Sequence, residues 1–350
     1  MNRFETLRRR IDRLDERLAR LLAERAEVVE AIGRAKRISG TGVFDPGRER
    51  TVRERLRRLE AGKFPASALD AIFREIVSAS RALEEATRVG FLGDEGSLAH
   101  WATMRRFGSS SDLAAYADAD GLLAALEAGT RRYAVIGLGE HELGPGGFDT
   151  LLSTRARIYG EFFQEPGAVL LGPRRGGSKR LYLTPSALAA CRRWLSAAAT
   201  AWDARVVGSG REAARRARAQ RAHCLGTPAL VGPGLNVLEE HVADEPRRRR
   251  RYWILSLGEP AKSERDKTAF LAVLPHRSGA LHGVLAPFSR RGLNLVTIET
   301  RASYGREWAH VFLFEIEGHA AHKPVREALA AVRRRVEFFK GLGSFPADPA

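Results

Sequence analysis

The sequence predicts a multidomain chain of three successive fold types: an all-α segment, an α/β segment and an α+β unit of βαββαβ order. Three observations carry this. Apolar residues recur at helical spacing through residues 1–88. From Val89-Gly90-Phe91-Leu92-Gly93 onward, short apolar strands alternate with helical stretches. Residues 267–341 then read strand, helix, strand, strand, helix, strand. A length of 350 residues agrees with two or three domains of roughly 100–200 residues each.

In the first segment Leu7, Ile11, Leu14, Leu18, Leu21, Leu22, Val28, Val29 and Ile32 keep helical spacing, and neither Gly nor Pro occurs before Gly33. The spacing predicts a helix over 4–38, about 50 Å long. Ser39-Gly40-Thr41-Gly42 ends it. Asp45 can cap and Pro46 can start a second helix. The stretch from Gly62 to Pro65 ends that one, and a third helix is expected over 67–86. One such long helix with two shorter ones encloses no core, so its apolar stripe calls for a second copy, an intertwined helical dimer.

The α/β texture, with strands at 133–136, 168–171 and 180–183, extends through residues 89–258. Residues 259–266 are polar, hold a Pro and read as a linker. The βαββαβ unit occupies 267–341, and 342–350 is expected to be a loose tail.

Composition excludes several classes. With 44% hydrophobic and 29% charged residues, the bulk of the chain is not disordered. No run of 18 apolar residues predicts a membrane span. The start, Met1-Asn2-Arg3-Phe4-Glu5, has no apolar signal core, so a cytoplasmic protein is expected. The net charge is +16, but the arginines are spread along the chain, and the cluster Arg247–Arg251 comes with no nucleic-acid-binding motif. Anionic small molecules, or an arginine-rich coding bias, account for the excess better than nucleic acid. Cys191 and Cys224 lack metal-ligand spacing and are expected to be buried thiols.

Polar residues on the helical segment suggest a site. Arg8 and Arg25 lie among its apolar positions, and Lys36 sits near the end of the first helix. Asp45, Arg48 and Glu49 open the second helix; Ser80 and Glu84, four apart, share a face of the third. A solvated, salt-bridged surface is the alternative, and it suits Arg9, Arg10 and Arg13. Arg8 and Arg25 are 17 positions apart, about 25 Å along one helix, so they cannot grip one small molecule together.

The segments Leu7-Arg8-x-x-Ile11-Asp12-x-x-Asp15, Leu21-Leu22-Ala23-Glu24-Arg25, Gly33-x-x-Lys36, Asp45-x-x-Arg48-Glu49 and Ser78-x-Ser80-Arg81-Ala82-Leu83 resemble the all-helical chorismate mutases. The resemblance implies a pericyclic conversion of chorismate to prephenate that needs no metal or cofactor. The site must hold a folded dicarboxylate and stabilise charge on the breaking ether oxygen. By the same resemblance Arg8 reaches into the partner's site, Arg25 binds a carboxylate, and Lys36 faces the ether oxygen. Asp45, Arg48, Glu49 and Ser80 orient the ring. Glu84 stands where bacterial members usually carry a Gln that donates to the ether oxygen, and only a protonated Glu can donate.

Gly90-Phe91-Leu92-Gly93-x-Glu95-Gly96-Ser97-x-x-His100, Tyr182-x-x-Pro185-x-Ala187-Leu188-x-x-Cys191 and Asp244-Glu245-Pro246 resemble prephenate dehydratases, with two α/β lobes and a site between them. The chemical motifs depart from that family. Gly137-Leu138-Gly139-Glu140-His141-Glu142 replaces a polar segment, Arg250-Arg251-Tyr252 replaces one bearing a catalytic threonine, and Thr184 replaces a histidine. Three readings stay open: a lobe kept for architecture and regulation, a dehydratase using Glu140, His141 or Glu142, or a decarboxylase acting on prephenate. For those three residues a solvated loop is the alternative.

Pro275-His276-Arg277-x-Gly279-Ala280-Leu281, Arg291-Gly292-Leu293-Asn294-Leu295 and Ile298-Glu299-Thr300-Arg301 resemble ACT regulatory domains. That implies an amino-acid effector, phenylalanine or another, held by Gly279, Ala280, Leu281, Asn294, Glu299 and Arg301; a purely structural unit is the alternative. Together the segments resemble the bifunctional chorismate mutase/prephenate dehydratases of phenylalanine biosynthesis. The expected partners are chorismate, prephenate, the effector and further copies of the chain. A regulatory pseudoenzyme that binds aromatic acids is the reading from a different class.

Overall fold

With no Pro and with Gly first at position 33, α1 (Arg3–Ser39) runs 37 residues unbroken, about 55 Å. This computed structural model describes residues 3–39, 44–58, 62–139, 143, 147–197, 202–303 and 310–348. Next come α2 (Pro46–Arg58) and α3 (Ala66–Glu84). The amide of Arg48 donates to Asp45 Oδ1 at 2.9 Å, the expected cap on α2. α1 packs on α3 but leaves Leu7, Ile11, Leu14, Leu18 and Leu21 at 50–58% exposure, so its apolar stripe has no cover within one chain. Phe44, fully buried just before α2, packs on Phe107, Tyr133 and Tyr159. The Tyr159 hydroxyl donates to its carbonyl at 2.8 Å, pinning the start of α2 to the first sheet.

The α/β part begins with β1 (Arg88–Leu92), α4 (Leu98–Phe107), β2 (Asp112–Tyr116), α5 (Ala119–Glu127) and β3 (Tyr133–Gly137), with β1 flanked in parallel by β2 and β3. Ser97 and Asp118 cap α4 and α5. After α6 (Asp149–Ser153) and β4 (Arg157–Gln164) the chain builds a second lobe. Its elements are β5 (Val169–Gly172), β6 (Arg180–Leu183), α7 (Pro185–Ala190), α8 (Arg192–Ala197), β7 (Asp203–Val206), α9 (Gly210–Ala219), β8 (His223–Gly226) and β9 (Asn236–Glu240). Then β10 (Arg250–Ser256) returns and inserts antiparallel between β3 and β4. The sheets are therefore ordered β2-β1-β3-β10-β4 and β7-β6-β8-β5-β9. Cys191 and Cys224 are fully buried, and burial pushes their thiols up to about 11 and about 12.

The C-terminal unit is β11 (Asp266–Val273), α10 (Ala280–Ser289), β12 (Leu295–Ala302), β13 (His310–Glu317), α11 (Lys323–Arg333) and β14 (Phe338–Pro346). These strands form an antiparallel sheet of order β12-β13-β11-β14. The expectation of a loose tail from residue 342 is corrected here. β14 pairs with β11 as far as Asp266↔Pro346, across a register shift at Ala269/Phe270, and buries Leu342 and Phe345. Those two side chains join Ile158 and Trp253 in one core, so the last strand seals the C-terminal unit onto the first lobe. The expected linker ends in a hydrogen-bonded turn, with Asp266 accepting from the amide and hydroxyl of Ser263.

Candidate active site

The α1–α3 seam is close because Gly33 has no side chain. A Cβ there would lie 3.1 Å from Glu84 Cγ, tighter than ordinary contact. Beside it, Lys36 Nζ donates to Glu84 Oε2 at 3.0 Å, with the Glu84 side chain only 8% exposed. Arg25 donates to Ser80 Oγ, and Ser80 in turn donates to the carbonyl of Ile76 at 2.6 Å. Two cations from one helix thus meet the Ser80–Glu84 face of the other. This arrangement can receive a carboxylate at Arg25 and a developing negative oxygen at Lys36.

Within one protomer the other four expected residues lie away from this seam. Arg8 lies on the exposed part of α1, its guanidinium 4.5 Å from the Phe4 ring centroid. Asp45 caps α2, and Arg48 is exposed. Glu49 turns to the first lobe, accepting from Arg81 at 2.6 Å and Arg106 at 2.7 Å. Burial pushes the Glu49 carboxyl up, but the guanidiniums of Arg81, Arg106 and Arg53 outweigh it and hold the group below the usual carboxylate range. Sequence reasoning missed Arg81 and Arg106 as structural partners. Their signal was an arginine next to apolar positions of α3 and α4, and each side chain is only 5% exposed.

Two of the three departures from the dehydratase pattern lie side by side. Tyr252 pairs opposite Gly137, and the amide of Leu138 donates to the carbonyl of Arg251 at 3.1 Å. Arg251 is engaged in a buried network through its Nε and Nη2. It donates to Glu161 at 2.7 Å and to both carboxylate oxygens of Glu315 at 2.8 and 2.7 Å, while Lys267 donates to Glu161 at 2.7 Å. Burial pushes the Arg251 guanidinium down, and the carboxylates of Glu315 and Glu161 raise it above its usual value. Thr184 Oγ accepts from the amide of Ala187 at 3.2 Å and serves as the cap of α7. Glu140, His141 and Glu142 lie outside the described residues. Between the lobes, buried Thr227 donates to the carbonyl of Gly96 at 3.0 Å, and the Gly96 amide donates to His100 Nδ1 at 2.9 Å. Burial holds the His100 imidazole below its usual range against the opposing charge of Glu95.

The expected effector residues divide between two places. Gly279, left-handed at φ +77°, leads Ala280 and Leu281 into α10. Asn294 donates to Glu317 at 3.2 Å, and Glu299 lies on edge strand β12, 4.0 Å from Arg301. Arg301 reaches away to the first lobe, donating to the carbonyl of Gly139 at 3.2 Å and lying 4.7 Å over the Phe148 ring. Among the described residues no cluster of His, Cys, Asp and Glu could hold a metal, and no helix is long and apolar enough to cross a membrane.

Residues 7–85 match the family model for chorismate mutase type II, and residues 89–260 that for prephenate dehydratase. A bifunctional chorismate mutase/prephenate dehydratase of Aquifex aeolicus is 30% identical over 356 residues, covering 99% of this chain and 98% of that protein. One of Neisseria gonorrhoeae is 30% identical over 349 residues, covering 97% and 96%. The solved prephenate dehydratase of Arthrobacter aurescens in complex with L-Phe superposes with a TM-score of 0.66 at 25% identity, over 75% of this chain and 92% of that one.

Proposed function

The chain belongs to the bifunctional chorismate mutase/prephenate dehydratase family, and from that premise we propose that it converts chorismate to prephenate at the α1–α3 seam, in a site completed by a second copy. The observation that carries this reading is the pairing of Arg25 with Ser80 and of Lys36 with Glu84 across that seam. Arg25 takes a carboxylate of the folded substrate, and Lys36 stabilises the ether oxygen as its bond to carbon breaks. No nucleophile is needed. The partner's Arg8 supplies the second carboxylate contact, and the dimer covers the exposed stripe from Leu7 to Leu21. Asp45 and Arg48 orient the ring where the two protomers meet, while Glu49 holds α2 in place through Arg81 and Arg106.

The middle domain keeps the two-lobed dehydratase frame without its chemistry. Arg250 cannot act as the acid that expels a hydroxyl, and Arg251 is committed to Glu161 and Glu315. The βαββαβ unit acts as an ACT-type module for an amino-acid effector, a reading supported by the L-Phe complex of the Arthrobacter aurescens protein. The chain so described is a cytoplasmic homo-oligomer of phenylalanine biosynthesis.

The experiment is chorismate turnover by wild type and Arg25→Ala. A loss of about a hundredfold or more in kcat/KM is expected, the usual cost of one transition-state charge contact. Arg25→Ala turning over like wild type would refute the site.

A further inference from the structure

A cavity of about 400 Å³ lies where the helical segment meets the first lobe, walled by α2, α3, α4 and the end of β4. It is separate from the α1–α3 seam. Among its described lining residues seven arginines face four carboxylates. Glu49 satisfies one nitrogen each of Arg81 and Arg106, yet the Nε–H groups of both are buried without a hydrogen-bond partner. A buried N–H left unpaired costs roughly 1–3 kcal/mol, so Glu49 leaves each of these two guanidiniums short of an acceptor. Repulsion from Arg106, followed by burial, holds the Arg53 guanidinium down to about 10, as expected where positive charge is in excess. Phe73, Phe162 and Phe163 supply the aromatic part of the lining beside Val52, Leu56 and Val77, and Arg105 and Arg249 stand on its exposed rim.

We propose that this cavity is a second ligand site for a ring-bearing dicarboxylate. Arg53, Arg81 and Arg106 take one carboxylate in the buried part, Arg105 and Arg249 take the other at the rim, and the phenylalanines pack on the ring. The volume suits a small-molecule site, and arginine forks suit carboxylate oxygens. A ligand there contacts α2, α3, α4 and β4 together, so it clamps the helical segment to the first lobe.

The test uses prephenate as the probe, on the full chain carrying Arg25→Ala to weaken binding at the seam. Isothermal titration at pH 8 should show one prephenate per chain. Adding Arg105→Gln and Arg249→Gln, both exposed positions that leave the fold intact, should weaken binding at least tenfold. The same two substitutions in the wild-type background should leave chorismate turnover within twofold. Phenylpyruvate, with one carboxylate, and inorganic phosphate, with no ring, should each bind at least tenfold more weakly than prephenate. Absence of binding, unchanged affinity in the rim variant, or equal affinity for phosphate would each overturn the proposal. Turnover without prephenate binding defeats this inference alone; binding without turnover defeats the mutase reading alone.

Discussion

Lys36 Nζ and Glu84 Oε2 are 3.0 Å apart, so the cation assigned to the ether oxygen of chorismate is paired with a carboxylate from the facing helix. An ionised Glu84 both engages Lys36 and repels a developing negative oxygen, whereas a protonated Glu84 or a Gln donates to it. Glu84→Gln should therefore raise mutase kcat at pH 8. An unchanged kcat in the Gln variant would remove Glu84 from the reacting centre.

The shared-site account makes a complementation prediction. Arg8→Ala and Arg25→Ala chains should each lose about a hundredfold or more in activity. Mixed after subunit exchange, they should regain part of it, because some sites then hold one intact Arg8 and one intact Arg25. Absence of recovery despite exchange demonstrated by mass spectrometry would argue for sites contained in single chains.

Glu49 predicts an acid-sensitive junction. Its carboxyl is held below the usual range in the folded protein, so its stabilisation is present above the ordinary carboxylate value and is lost as pH falls through the lowered one. Glu49→Gln should lower Tm at pH 7, and the gap to wild type should narrow below about pH 4.5. Glu49→Ala, which leaves Arg81 and Arg106 buried without their carboxylate, should cost about 3–5 kcal/mol in local stability. A pH-independent gap for the Gln variant would show that the ion pairs do not carry the stabilisation.

Arg251 joins β10 to Glu161 of β4 and Glu315 of β13, so it ties the C-terminal unit to the first lobe. Arg251→Met strands two buried carboxylates, with Glu161 keeping Lys267. Limited proteolysis should then cut faster within residues 257–265. An unchanged cleavage rate would show that the shared core of Leu342, Phe345 and Trp253 holds the junction without it.

What was legible in the sequence was local. The α1 stripe, the Asp45–Pro46 start of α2 and the βαββαβ order are written in periodicity and caps within a few residues. Glu49 could not be read so, because Arg106 is 57 positions away and only the fold brings them together. Arg251 sits in a run of arginines that reads as a surface patch; it is part-buried because Glu161 and Glu315 arrive from separate strands. The end of β14 was hidden because Gly341 and Gly343 interrupt its alternation and a register shift resets the pairing. At the seam, residue types suggested Arg25, Lys36, Ser80 and Glu84, but the contribution of Gly33 to their approach emerges only from helix packing.

The central claim is mutase chemistry without dehydration, and one time course tests it most directly. Purified full-length protein is supplied with chorismate near neutral pH, and chorismate, prephenate and phenylpyruvate are followed together by chromatography. Chorismate should disappear into an equal amount of prephenate, with phenylpyruvate forming no faster than in a protein-free prephenate control. Chorismate consumed no faster than in buffer would contradict the mutase assignment, and phenylpyruvate accumulating well above the control would contradict the proposed absence of dehydratase chemistry.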